Sequence, residues 1–111
     1  EAQLKVTQHT GNPLRNVLRS FIQWCNDYNF STIKVWGNSA RFDLGILESA
    51  FDAFKMPLPW KHYNECDVRT LVMFAPEIKE ETKFTGIKHY PIDDCKHQIK
   101  YCSAIYTKLK F

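Results

Sequence analysis

A chain of 111 residues that is 44% hydrophobic and 14% aromatic has enough apolar material for one small core and too much for a disordered polymer. Fifteen Lys and Arg against twelve Asp and Glu leave a formal charge of +3, which suits a polyanionic partner but is too mild to indicate one alone. No apolar run approaches the roughly 20 residues of a membrane helix and no signal peptide opens the chain, so a cytoplasmic protein without membrane contact is expected. Cys25, Cys66, Cys95 and Cys102 form no Cys-x-x-Cys pair and no dense framework. They read as reduced, buried thiols, with Cys95 and Cys102 sharing one helix face. Because an initiator Met is not normally removed before Glu, a chain opening on Glu1 is expected to be a piece of a longer protein.

In chain order, Glu1 to Gln8 is compatible with a brief helix through Ala2, Leu4 and Val6. A break at His9 to Pro13 follows, where Asn12 can cap and Pro13 suits the first helical position. Leu14, Val17, Leu18, Phe21, Ile22 and Cys25 recur at spacings of three and four, which predicts an amphipathic helix ending near Tyr28. Thr32 to Trp36 is β-branched and aromatic without alternation, so it predicts a strand buried on both faces. A second helix is predicted from about Arg41 to Phe54, with Leu44, Leu47, Phe51 and Phe54 on one face.

Met56-Pro57-Leu58-Pro59 forbids helix continuation. Trp60 to Cys66 reads as a weakly hydrophobic second strand. Asp67 is placed to cap a short helix, Val68 to Phe74, that Pro76 ends. The polar stretch from Pro76 to Lys88 reads as an exposed loop. A last helix is predicted from Pro91 to about Lys108, with Ile92, Cys95, Ile99, Cys102, Ile105 or Tyr106, and Leu109 facing the core. Strands alternating with helices indicate an α/β protein. Two short strands make a poor sheet beneath full apolar stripes, so the chain reads as part of a layered domain whose other strands are missing.

Two segments are candidates for chemistry. Trp36-Gly37-Asn38-Ser39-Ala40-Arg41-Phe42-Asp43 sets Asp43 at a helix start directly after a strand, where clefts of open α/β sheets form. The same residue is equally an early-turn carboxylate favoured by the helix dipole. His89-Tyr90-Pro91-Ile92-Asp93-Asp94 sets two acids in the first turn of the last helix and a histidine just before it. A histidine so placed can act as a general base, with Asp94 holding a metal ion, or all three serve only the helix start.

Taken together, the two segments resemble motifs of the DEDD-type 3'-5' exonucleases. Asn38, Phe42 and Asp43 match the second motif, Asn-x-x-x-Phe-Asp. His89 and Asp94 match the third motif of the His-bearing (DEDDh) subgroup, His-x-Ala-x-x-Asp, with Pro91 in place of Ala. With Val35-Trp36-Gly37-Asn38, Pro59-Trp60, Asp67-Val68-Arg69-Thr70 and the helix from Gln98 to Leu109, the chain is similar to phage and prophage exonucleases of the exodeoxyribonuclease VIII-like or Rv2179c-like type, from about residue 12 onward. The resemblance implies a ribonuclease H-like fold in which residues 1–111 are a partial exonuclease domain of about two strands and three to four helices. It implies two Mg²⁺ or Mn²⁺ ions roughly 3.5–4 Å apart, with Asp94 and Asp43 as ligands and His89 taking the proton of the attacking water. Asn38 and Phe42 would place the 3'-terminal nucleotide of single-stranded DNA or RNA, with Arg69 and Trp60 as weaker strand contacts. For Trp60 core packing competes with that role, and for Arg69 a structural ion pair does.

The family's first motif, Asp-x-Glu, occurs nowhere in the 111 residues. It is expected on strands preceding Glu1, so this piece alone is expected to be catalytically deficient and to self-associate through its uncovered apolar surface. The competing readings are a non-catalytic prophage remnant that binds nucleic acid or a partner, and a small helix-rich interaction protein with accidental matches.

Overall fold

The computed structural model describes residues 13–110; the expected helix at Glu1 to Gln8 and the capping role of Asn12 lie outside them. Five α-helices and two strands are present among the described residues: α1 Leu14–Asn26, β1 Val35–Gly37, α2 Ala40–Ala53, β2 Glu65–Asp67, α3 Val68–Val72, α4 Pro76–Glu81 and α5 Pro91–Leu109. The chain divides into two compact units, the first ending at Cys66 and the second beginning at Asp67.

In the first unit, Pro13 stands one place ahead of the helix rather than inside it. Its carbonyl accepts from the amides of Asn16 and Val17 at 2.9 and 3.2 Å, so the missing N–H of proline costs nothing there. Leu18 and Cys25 are buried and Phe21 and Ile22 pack on the core, but Leu14 and Val17 stay about half exposed. The first turn of α1 therefore overhangs the core. Asn29, in the left-handed region at φ 69°, turns the chain towards β1.

β1 and β2 pair as a two-stranded parallel sheet with α2 as the crossover between them. The expected burial of the first strand on both faces is corrected: Trp36 is 49% exposed and Val35 half-buried. Successive side chains point to opposite faces, and the face of Trp36 carries no covering layer among the described residues. The stripe expected on α2 is the one found, with Leu44 and Phe51 buried and Leu47 and Phe54 packed beside them. Leu18, Leu44, Phe51 and Trp60 form this core. Phe51 and Phe21 each meet Trp60 nearly edge-on, at 6.2 and 6.3 Å between ring centres, a favourable quadrupole geometry.

The strand expected over Trp60 to Cys66 is also narrower. His62–Asn64 forms a 3-10 turn, and strand geometry begins only at Glu65. Asn64 explains this: its amide N–H reaches back to the Lys61 carbonyl at 2.9 Å. Its buried side chain donates to the Ser31 carbonyl at 3.1 Å and accepts from Lys34 Nζ at 3.3 Å. A buried amide so paired dictates the local turn more strongly than the weak alternation around it.

In the second unit, Asp67 caps α3 as expected, its Oδ1 accepting from the Arg69 amide at 3.1 Å. Pro76, expected to open an exposed loop, instead starts α4. Proline is tolerated in a first helical turn, Glu77 follows it at the positive end of the dipole, and Ile78 packs on the core. The run of charges is this short helix's wet side. Val68, Ala75, Tyr101 and Ile105 form the second core, joined by Leu71, Cys102 and Leu109. The face of α5 is thus rotated from the expected one. Tyr101 is 1% exposed, whereas Ile92, Ile99 and Cys95 are exposed. Tyr101, Ile105 and Leu109 make one i, i+4 ridge, and α3 and α4 pack against that ridge. Among the described residues, no helix is long and apolar enough to cross a membrane.

Candidate active-site residues

The turn from β1 into α2 is built around a glycine. A Cβ on Gly37 would stand 2.9 Å from the Ala40 Cα, closer than real Cβ atoms pack, and a tight 3.2 Å from the Asp43 Cβ. Only glycine lets the chain fold back so tightly. Ser39 then adopts a left-handed φ of 80°, and its carbonyl accepts from the amides of Phe42 and Asp43 at 3.0 and 3.1 Å. This places Asp43 in the first turn of α2 with its Oδ2 against the end of β1, 3.3 Å from the position of that absent Cβ. Asp43 is exposed, Phe42 is 66% exposed, and Asn38 is half-buried in the turn itself. Asn38, Phe42 and Asp43 are therefore clustered at one strand end, by a local fold that a glycine makes possible.

A second tight structure opens α5. His89 sits in the left-handed region at φ 70° and its amide donates to Asp94 Oδ1 at 3.0 Å. Asp94 in turn donates its own amide to the Tyr90 carbonyl at 2.9 Å. Asp93, its neighbour, accepts from the Ile87 amide at 2.9 Å and covers Gly86, whose φ is 108°. The two acids thus divide the work of the helix start: Asp93 holds the incoming loop, and Asp94 holds His89. The structure brings His89 and Asp94 together within the second unit. Asp43 belongs to the first.

The remaining sequence candidates have more ordinary surroundings. Trp60 is 2% exposed and packs in the first core, and its indole N–H donates to Glu65 Oε2 at 2.8 Å. Core packing, the alternative weighed for it, describes where the ring sits. Arg69 lies exposed in α3.

The expectation that all four thiols are buried needs correction. All are free, but Cys25 alone is fully buried and Cys95 is exposed. Burial pushes the thiols of Cys25, Cys66 and Cys102 up from their ordinary values.

One constellation was not legible in the sequence. Glu48 on α2, His62 in the 3-10 turn and Glu65 at the start of β2 each offer a ligand atom, all within 4.8 Å of one another. His62 Nε2 is 2.8 Å from Glu48 Oε2, and this bond, with the carboxylate's charge, raises the imidazole's pKa. These residues fall in no spaced motif, so only the α2 crossover and the turn join them.

A strand, an acid-bearing helix start, a second strand and a last helix opening on His89 and Asp94 follow one another along the chain. The chain matches the family model described as the 3'-5' exoribonuclease Rv2179c-like domain over residues 1–106, and it belongs to that family. It is thereby placed among nucleases, with nucleic acid as its substrate class. No curated protein and no solved structure matches it.

Proposed function

We propose that this chain is part of a 3'-5' exonuclease of the DEDDh type, with a ribonuclease H-like fold, acting on the 3' end of single-stranded nucleic acid. RNA is favoured by the family's description. The family match over nearly the whole chain carries this reading, and the local geometry at Asp43 and at His89–Asp94 supports it.

In this reading Asp43 and Asp94 hold the divalent ions. Carboxylate oxygens are the donors that Mg²⁺ and Mn²⁺ prefer, so the donor type fits. The ions, when bound, activate water and neutralise charge developing on the scissile phosphate. His89 takes up the proton released by the attacking water. The bond from its amide to Asp94 fixes its backbone beside that acid. The exposed ring of Phe42 stacks on the terminal base and Asn38 hydrogen-bonds the same nucleotide. Arg69 is a peripheral contact to the strand.

Two carboxylates are half of the family's four, and the 111 residues contain no Asp-x-Glu. By themselves they bind metal weakly and hydrolyse poorly. The uncovered apolar side chains, Trp36, Ile92 and Ile99 among them, favour self-association in a cytoplasmic protein. The test is to incubate the purified chain with 5'-labelled single-stranded RNA and the matching DNA, with and without Mg²⁺ or Mn²⁺. Expected is binding that depends on a free 3' end and is strengthened by the ion, with both dependences lost in Asp94→Asn. Hydrolysis abolished by Asp94→Asn would uphold the exonuclease and overturn the deficiency. Binding indifferent to metal, to the 3' end and to both Asp43→Asn and Asp94→Asn would leave the non-catalytic binding module as the correct reading.

A further inference from the structure

The cluster of Glu48, His62 and Glu65 lies wholly within the first unit and shares no residue with the proposed nuclease acids. Its three ligand atoms come from a helix, a turn and a strand. An imidazole between two carboxylates is a donor set of different character from a run of surface acids, because imidazole nitrogen selects late divalent metals over Mg²⁺. We propose that Glu48, His62 and Glu65 form a site for Zn²⁺ or a similar late divalent cation, distinct from the nuclease metals.

Zn²⁺ takes imidazole nitrogen and carboxylate oxygen at about 2.0–2.2 Å, so ligand atoms on one tetrahedral ion stand roughly 3.3–3.6 Å apart. The three atoms already lie within 4.8 Å of one another. On binding, His62 Nε2 and Glu48 Oε2, now 2.8 Å apart, separate to ligand spacing as the ion replaces their hydrogen bond, and the wider pairs draw together.

The cluster also has an outer support. Trp60, locked in the aromatic core, donates its indole N–H to Glu65 Oε2 at 2.8 Å. An outer hydrogen bond of this kind orients a ligating carboxylate and raises the site's affinity. Trp60 is thus a positioning residue. The exposed side chains of His62 and Glu48, at 68% and 48%, leave an entry path and room for water as the fourth ligand. Three protein ligands and an open position are common to many zinc sites.

The experiment is titration of the whole chain with Zn²⁺ by calorimetry, paired with Co²⁺ substitution and histidine-ring NMR. One Zn²⁺ per chain is expected at this cluster, shifting the His62 ring resonances ahead of those of His89 and His97. Affinity should fall at least tenfold in His62→Gln and in Glu48→Gln, and remain near wild type in Asp43→Asn and Asp94→Asn. Trp60→Phe, which keeps an aromatic ring in the core but removes the N–H, should weaken binding by about 10- to 100-fold. The Co²⁺ form should lack a thiolate charge-transfer band. Absence of Zn²⁺ uptake, uptake unchanged in His62→Gln, or a thiolate band would each overturn the assignment. The first would leave His62 and Glu48 as a surface ion pair; the last would assign the metal to the cysteines, Cys66 first. Because the nuclease acids are varied separately, a failure here is distinguishable from a failure of the exonuclease reading.

Discussion

Replacing Gly86 by Ala should be among the most costly single-methyl additions in the second unit. Gly86 has φ 108°, a region that L side chains rarely adopt, and its added Cβ would stand 2.6 Å from both the Cγ and the Oδ2 of Asp93. The backbone conformation alone costs of order 1–3 kcal/mol for a residue with a side chain. The Asp93 carboxylate must also withdraw, giving up its 2.9 Å bond to the Ile87 amide. Bonds to a charged group contribute about 1.5–3 kcal/mol, with the lower end apt for this partly exposed pair. The expected loss is therefore about 3 kcal/mol. Urea unfolding followed by far-UV circular dichroism measures it, and amide exchange at Ile87 localises it. A double-mutant cycle isolates the clash. In the Asp93→Ala background the three atoms nearest the methyl, all of the Asp93 carboxyl group, are gone, so Gly86→Ala should cost chiefly the backbone strain and the two losses should add to more than the double variant's. Gly86→Ala within about 0.5 kcal/mol of wild type, or strictly additive losses, would refute the reasoning.

Three further outcomes are expected. Ile105→Ala, at a fully buried position against Tyr101, should destabilise by about 2–5 kcal/mol, whereas Ile99→Ala on the same helix, at 64% exposed, should stay within about 0.5 kcal/mol in the same urea assay. The hydrogen bond from Lys108 Nζ to Glu77, at 2.9 Å, holds the carboxyl below its ordinary value. That pair's contribution is present above the ordinary carboxyl pKa and lost as pH falls through the lowered one. In Lys108→Ala the NMR titration of Glu77 should move upward, with little change in stability because the pair is solvated. Limited treatment of the folded protein with a thiol reagent, read by peptide mass mapping, should label Cys95 first and Cys25 last. Labelling of Cys25 ahead of Cys95 would contradict the rotated face of α5.

Much of the architecture was determined by local chemistry and could be read directly. Pro91 fixes the start of α5 because its φ and missing N–H suit a first turn. Asp67 caps α3 because its side chain reaches an amide two residues on. The stripe of Leu44, Leu47, Phe51 and Phe54 follows from the 3.6-residue period. The clustering of Asn38, Phe42 and Asp43, and of His89 with Asp94, is likewise local, since each group lies within one turn of its own helix start.

What the sequence left open was settled by partners distant in the chain. Periodicity shows that α5 has an apolar side, but Ile92, Cys95 and Ile99 compete with Tyr101, Ile105 and Leu109 for it. Only the packing of α3 and α4 chooses the second row. Pro76 to Glu81 has charges enough for a loop, and becomes a helix because Ile78 gains a core to pack on. Asn64 breaks the strand expected at Trp60 because its amide is bonded to Ser31 and Lys34, some thirty residues earlier. The meeting of Glu48, His62 and Glu65 is of the same kind. Local propensity is written in neighbouring residues, but which surface is covered, and which ligands converge, is decided by the fold's long-range contacts.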